Sequence, residues 1–261
     1  MKIGVIGASG RMGQTLIQQI EQQDGLQLAA AVVSNHSQCL GEPVAGLRYQ
    51  SLDQVDAALD LLIDFSLPDA LTDNLIFAQR QQLPIVVCTT GLQSQQQQQL
   101  SQVASSIPVL YARNTSVGIV LLEQLAALSS AALPQADVEI SEAHHQHKKD
   151  APSGTALALA EAVAVGRQQD LNDINSGIRG DGERTAGSIG FAVTRAADIV
   201  GEHQVMLAQP GERLELTHRV SDRRIFAAGA LQAGQWLQNQ PPGLYRMQDM
   251  LDLKASLQRL L

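Results

Sequence analysis

Two stretches of the sequence carry residue types at spacings that can do chemistry. The first runs Glu142-Ala143-His144-His145-Gln146-His147-Lys148-Lys149-Asp150-Ala151-Pro152-Ser153-Gly154-Thr155. It sets imidazoles and ammonium groups just before residues that suit the start of a helix. With Pro152 and Ser153 opening that helix, the Gly154 and Thr155 amides fall at the positive end of its dipole, where a carboxylate binds favourably. Lys148 and Lys149 add positive charge beside it. Three readings compete. In one, an imidazole or ammonium group donates a proton to a carbanion formed by hydride addition, next to an anion pocket. In another, two of His144, His145 and His147 ligate zinc or iron. In the third, the stretch is a solvated polar loop. The neighbouring lysines disfavour a cation and the spacing departs from H-E-x-x-H, so no metal is expected.

The second stretch is Ile3-Gly4-Val5-Ile6-Gly7-Ala8-Ser9-Gly10-Arg11-Met12-Gly13. It reads as a strand, a glycine-rich turn and a helix built to hold a pyrophosphate at the helix N-terminus. Gly7 allows the tight turn, Gly10 lets backbone approach the phosphates, and Gly13 permits close packing of helix on strand. A tight strand-to-helix turn without a ligand is the plainer alternative. An acidic residue for the adenosine ribose belongs about 20 residues further on, at the end of the second strand. That place reads Val33-Ser34-Asn35-His36, with no carboxylate to repel a 2′-phosphate. Ser34, Asn35, His36 and Arg11 offer partners for one, so NADPH is expected over NADH, with NADH left open. Together the two stretches favour a nicotinamide-dependent reductase and the first reading of the histidine-lysine block.

The surrounding elements must place these groups. Apolar runs at 3–6, 26–33, 61–65, 85–88 and 109–112 alternate with helical patterns, the rhythm of a parallel sheet covered by helices. Pro68 to Gln82 is expected as one crossover helix, and the glutamine-rich run Gln93 to Gln102 as a solvated one. From Asn114 the texture changes: a long apolar helix over 117–133 leads to a strand over 137–142, the histidine-rich turn, and a helix over 155–165. Residues 170–187 read as an exposed loop. Ser188 to Arg195 and His203 to Val220 are strand-like, with a turn at Pro210-Gly211 and antiparallel pairing expected. A helix over 225–237, a break at Pro241-Pro242-Gly243 and a last amphipathic segment follow. The fold class is therefore α/β: a Rossmann-like dinucleotide-binding domain over 1–115, a second α+β domain with a mixed sheet over 116–224, and a segment over 225–261 that returns to the first domain.

Composition narrows the partners. The chain has 261 residues, 44% of them hydrophobic, enough for a sizeable core. A formal charge of −8 with 3% aromatics argues against nucleic acid, which needs a basic face and stacking platforms. Two separated cysteines, Cys39 and Cys88, suggest neither a disulfide framework nor a thiolate site, and a cytoplasmic protein is expected. No signal peptide and no membrane span are read from the chain.

With these residues in view, the sequence closely resembles the dihydrodipicolinate reductase family over essentially its whole length. The marks are GASGRMG at 7–13, IDFS at 63–66, TTG at 89–91, NTSVG at 114–118, EAHHQHKKDAPSGTA at 142–156 and GFAVTRAADIVGEH at 190–203. The resemblance implies a nicotinamide-binding domain, a substrate and tetramerisation domain, and a small cyclic imine substrate bearing two carboxylates. It implies His144 as proton donor or acceptor, Lys148 as a second acid, and His145, Gly154 and Thr155 as substrate contacts. Cofactor loops are implied at Gly7, Ala8, Ser9, Gly10, Arg11 and Met12, at Cys88, Thr89 and Thr90, and at Ala112, Arg113, Asn114 and Thr115. Three positions depart from the family's pattern. Cys88 stands where glycine often precedes the two threonines. Thr115 stands where an aromatic residue often follows the asparagine. The acidic-arginine pair of some members is missing after the second strand. Two rivals remain: a related two-domain reductase acting on a semialdehyde or amino acid, which should lack the histidine-lysine block, and a sensor that binds NADPH without turnover.

Overall fold

A computed structural model describes residues 1–253 and 258. The chain forms two compact units, Met1–Ser116 together with the segment from Arg223, and Val117–Asp222.

The first unit opens with β1 (Lys2–Ile6), α1 (Arg11–Gln22) and β2 (Gln27–Val32), then the short β3 (Pro43–Val44) and β4 (Leu47–Gln50). It continues through β5 (Leu61–Asp64), α2 (Leu71–Arg80), β6 (Ile85–Val87), α3 (Ser94–Val103) and β7 (Pro108–Tyr111). The inner strands are mostly apolar because both faces are covered; every residue of β5 and β6 is buried, including Asp64 at the end of β5. Leu71, Leu75 and Leu100 of the crossover helices pack with Leu62, Ile85, Val87 and Val109 in one core cluster. The glutamine-rich helix α3 buries only Leu100 and exposes most of its glutamines, as a solvated crossover requires. At Pro68 the expected single helix is instead a 3-10 turn, Pro68–Ala70, running into α2, which stops at Arg80. Gln82, at φ 53, lies beyond the helix.

The second unit consists of α4 (Val117–Ala132), β8 (Asp137–His144), α5 (Gly154–Gly166), α6 (Leu171–Ile174), β9 (Asn175–Ile178), β10 (Ile189–Arg195), β11 (Gly201–Gln209) and β12 (Glu212–Val220). Its sheet has the order β12-β11-β8-β10-β9 and is mixed. The hairpin β11–β12 turns at Pro210-Gly211 and pairs antiparallel, as does β11 with β8. The expectation of antiparallel pairing fails at β10, which runs parallel to β8 and to β9. Between β8 and β9 the chain crosses back through the 13-residue α5, and such a crossover returns it in the same direction, which β10 between them shares. The loop expected over 170–187 contains α6 and β9, each four residues long and too short to show a period.

The chain then returns to the first unit as α7 (Arg224–Leu237), β13 (Gly243–Tyr245) and α8 (Met247–Leu251). The Pro241-Pro242-Gly243 break is real, yet Gly243 also opens β13, which adds to β7 in parallel. The first sheet thus reads β13-β7-β6-β5-β1-β2-β4-β3, parallel except for the β3–β4 ribbon. Of the last amphipathic segment, the part beyond Leu253 lies outside the described residues save Gln258. Among the described residues no helix is long and apolar enough to cross a membrane.

Candidate functional site

The candidate dinucleotide cradle starts from Gly7, whose φ of +76 places it in the left-handed region at the end of β1. A Cβ there would lie 2.6 Å from the Phe65 carbonyl oxygen. Gly10 caps α1, and a Cβ on Gly13 would lie 2.3 Å from the Gly7 carbonyl oxygen, so helix and turn meet backbone to backbone. Ala8 is buried and donates its amide to the Val32 carbonyl at 3.0 Å, tying the turn to the end of β2. The first-turn amides of α1, from Arg11 and Met12, therefore lie at the positive end of a 12-residue helix, the arrangement that takes a pyrophosphate. Ser9 and Arg11 are exposed at its mouth, and so are Ser34, Asn35 and His36 just past β2.

Neighbouring strand ends of the same sheet carry the other two loops. Cys88 and Thr89 are buried after β6; the Cys88 amide bonds the Asp64 carbonyl at 2.8 Å and the Thr89 hydroxyl the Ser66 carbonyl at 3.3 Å, while Thr90 is exposed. Burial, with the Asp64 carboxylate beside it, pushes the Cys88 thiol well up, so it stays protonated. Ala112 donates its amide to Val87 at 3.0 Å. Thr115 is buried, and its hydroxyl donates to the Phe226 carbonyl of α7 at 2.7 Å. A Cβ on Gly229 of α7 would lie 1.8 Å from the Thr115 carbonyl oxygen, so this loop rests directly on α7. Asn114 accepts the Ser116 amide at 2.9 Å, and Arg113 is exposed. Glycine fit at the turn, the helix start and loops at adjacent strand ends all suit a dinucleotide.

The polar block is assembled by strand periodicity in the second unit. Along β8, Val138, Ile140, Glu142 and His144 are buried while the residues between them are partly exposed. Period 2 thus sets a carboxylate and an imidazole on a face that begins as apolar core. On β11, Gly201, His203, Val205 and Leu207 are buried in the same alternation. Register does the rest, pairing His203 with Glu142 and Arg195 with His144.

Glu142, its side chain fully buried, is the hub. Its Oε2 faces His144 Nδ1 at 3.3 Å and His203 Nε2 at 3.8 Å. Its Oε1 accepts from Arg195 at 2.9 Å and from the Ser153 amide at 3.1 Å. Burial pushes this carboxyl up, and the bonds from His144, Ser153 and Arg195 outweigh that, holding it down at about 2. Burial, with His144 close by, pushes His203 down to about 3, so that ring is neutral. Ser153 is the N-cap of α5, its hydroxyl oxygen accepting the Ala156 amide at 3.1 Å and lying 3.2 Å from His203 Nε2. One carboxylate therefore links the buried His144 to the start of α5, where Gly154 is exposed and Thr155 half-buried.

Lys148 and His145 are half-buried in the connecting loop, with His147 and Lys149 exposed. Lys148 pairs with Asp150 at 2.9 Å. Burial raises the Asp150 carboxyl, but Lys148 prevails and holds it below its ordinary value. Arg195 also donates to the Asp150 carbonyl at 2.7 Å, pinning the loop to β10. The metal reading took two of His144, His145 and His147 as ligands. Among the described residues the donors that gather are instead Glu142, His144 and His203, within 4.8 Å of one another. Arg195 already shares that carboxylate, so they form a hydrogen-bonded polar cluster. Sequence reasoning singled out His144, His145, Lys148, Gly154 and Thr155, placed Ser153 at the helix start, and missed Glu142, Arg195 and His203. The signal it missed is a charged residue in phase with the buried positions of β8 and β11.

Two family models cover nearly all of the chain: dihydrodipicolinate reductase, N-terminus, matches residues 1–115, and dihydrodipicolinate reductase, C-terminus, matches residues 118–251. A curated protein named 4-hydroxy-tetrahydrodipicolinate reductase from Pseudoalteromonas atlantica is 46% identical, over 97% of this chain and 99% of its own. One of the same name from Pseudomonas fluorescens is 42% identical over 97% and 99%. Among solved structures, the dipicolinate-bound dihydrodipicolinate reductase from Paenisporosarcina sp. TG-14 shares the fold, with a TM-score of 0.77 at 22% identity over 94% of this chain and 97% of that one.

Proposed function

The chain belongs to the dihydrodipicolinate reductase family, and from that premise we propose that it reduces 4-hydroxy-tetrahydrodipicolinate to tetrahydrodipicolinate with NAD(P)H, in the diaminopimelate route to lysine. The observation that carries this reading is the buried imidazole of His144 joined through one carboxylate to the N-terminus of α5. A proton donor and an anion pocket are what a dicarboxylate imine needs.

The substrate is a cyclic imine with two carboxylates, and loss of its 4-hydroxyl as water leaves a conjugated imine. The nicotinamide, when bound, supplies a hydride at C4. Electron density then moves through the ring onto nitrogen, and the enamine takes a proton at C3. His144 donates that proton. Lys148, released from Asp150, holds a carboxylate and the developing charge or acts as a second acid. His145 and the first-turn amides at Gly154 and Thr155 bind the carboxylates. Gly7 to Met12, Cys88 to Thr90 and Ala112 to Thr115 hold the dinucleotide.

NADPH is the preferred donor: exposed Ser34 and Arg11 offer a hydrogen bond and a charge to the 2′-phosphate, and no carboxylate stands at 34–36 to oppose it. Comparing kcat/KM for the two cofactors checks this, and a strong NADH preference contradicts it. By this reading, residues 1–115 bind dinucleotide, 116–224 bind substrate and build a homotetramer, and 225–261 return to the first domain. The tetramer is supported by Leu121, Leu125 and Leu128, exposed at helical spacing along α4. Free Cys39 and Cys88 suit the cytoplasm.

The test is to follow NADPH and NADH oxidation on adding the condensation product of pyruvate and aspartate semialdehyde. Oxidation that depends on this compound is expected. Dinucleotide binding without oxidation would indicate a sensor, and oxidation with a simple semialdehyde alone would indicate the related reductase.

A further inference from the structure

Glu142 has no role in the scheme above, yet its side chain is fully buried among Ser153, Arg195, His144 and His203. Its Oε2 and the Nδ1 of His144 are both buried without a hydrogen-bond partner among the described residues, and they face each other at 3.3 Å. Building on the proposed acid role of His144, we propose that Glu142 is its positioning residue: the carboxylate accepts the Nδ1 proton of His144, fixes that tautomer, and leaves Nε2 to deliver the proton to substrate.

The rest of the geometry follows from one carboxylate having two oxygens. Oε1 is committed to Arg195 and to the Ser153 amide, so the group cannot rotate without losing both. Oε2 is thereby aimed at the imidazole. Position 201 is glycine, and a Cβ there would stand 3.3 Å from His144 Nε2, so the nitrogen that the carboxylate does not engage is also the one kept uncrowded. His203 packs edge-on against His144, with ring centroids 5.1 Å apart, and stops the imidazole from turning. A carboxylate that orients an imidazole and favours its charged form is a recurring way to make it a competent proton carrier.

Glu142→Gln is the discriminating change. Its amide oxygen can keep the Arg195 and Ser153 contacts, while its NH2 group, a donor, then faces Nδ1. That forces the proton to Nε2 in the neutral ring and opposes the imidazolium. The expected result is a fall in kcat on the order of 10²–10³-fold, with the KM for NADPH and the Kd for dipicolinate changed less than about threefold. Glu142→Asp should recover part of the loss. A fall in dipicolinate affinity as large as the fall in kcat, with no rescue by Asp, would reduce Glu142 to a scaffold and overturn the proposal.

Nitrogen-15 NMR of imidazole-labelled wild-type protein gives a second arm that needs neither a variant nor turnover. The Nδ1–H tautomer of His144 is expected. An Nε2–H tautomer, or a transition metal bound stoichiometrically by this cluster in the purified protein, would overturn the assignment. Loss of turnover in the wild type would instead count against the functional reading, and the NMR arm would still decide the dyad.

Discussion

His144 occupies a strand position that the alternation of β8 reserves for core, and it keeps its polarity only because Glu142 two residues earlier shares that face. Its removal is the sharpest residue-scale test of the chemistry. His144→Gln should lower kcat by roughly 10²–10⁴-fold, the usual span for a lost general acid, and an unchanged kcat at saturating substrate would contradict the assignment. The same cluster makes stability depend on pH. His203 is held neutral at about 3, so below its ordinary 6.5 the unfolded chain takes up a proton that the folded one refuses, and stability falls as pH drops from 6.5 towards 3. Glu142, held at about 2, adds stability that is complete above its ordinary 4.5 and is lost as pH falls towards 2. His203→Gln should therefore flatten the urea midpoint against pH between about 6.5 and 4.5, where one such group contributes up to ~1.4 kcal/mol per unit. Parallel curves for variant and wild type would mean that His203 is not buried as a neutral ring. His144 and Lys148 were legible in the sequence because imidazoles and ammonium groups crowd into a few residues before a helix start. Arg195 and His203 were not, since strand register alone brings them to Glu142 from more than 50 positions away.

At the scale of elements, closely spaced glycines mark where backbones touch. A Cβ at Gly13 would press on the turn proposed to hold the dinucleotide, and one at Gly166 of α5 would stand 2.2 Å from the Ala127 carbonyl oxygen of α4. Each substitution to alanine should cost about 1–3 kcal/mol through overpacking, read as a lower Tm. Only Gly13→Ala should also weaken NADPH binding, measured by fluorescence titration. Equal loss of affinity in both variants would detach the turn from the cofactor. Continuous apolar runs and clear turn signals were readable: β1, β2, β5, β6 and β7 of the first sheet, α3 despite its glutamine run, and the β11–β12 hairpin with its Pro210-Gly211 turn. Others were not. α6, β9 and β13 span three or four residues and lack the continuous apolar run that marked β5 and β6. The direction of β10, parallel to β8 and β9, was not set by anything within its own seven residues.

For the whole molecule, a net charge of −8 coexists with a dianionic substrate because the field that matters is local. Arg195 and Lys148, each paired with a carboxylate, are held near the α5 N-terminus, and Lys149 is exposed in the same loop. The exposed leucines of α4 should be covered in solution, and light scattering is expected to return four times the 27.9 kDa of one chain; a monomer would contradict the proposed assembly. The central claim is a division of one reduction between a cofactor hydride and a proton from the buried imidazole. Its most direct test is to run the reaction with NADPH deuterated at the transferable position of the nicotinamide and to locate the label in the product by NMR. Deuterium at C4 of the ring, with C3 hydrogen drawn from solvent, is the predicted result. Label at any other carbon, or cofactor bound and left unoxidised, would contradict the account.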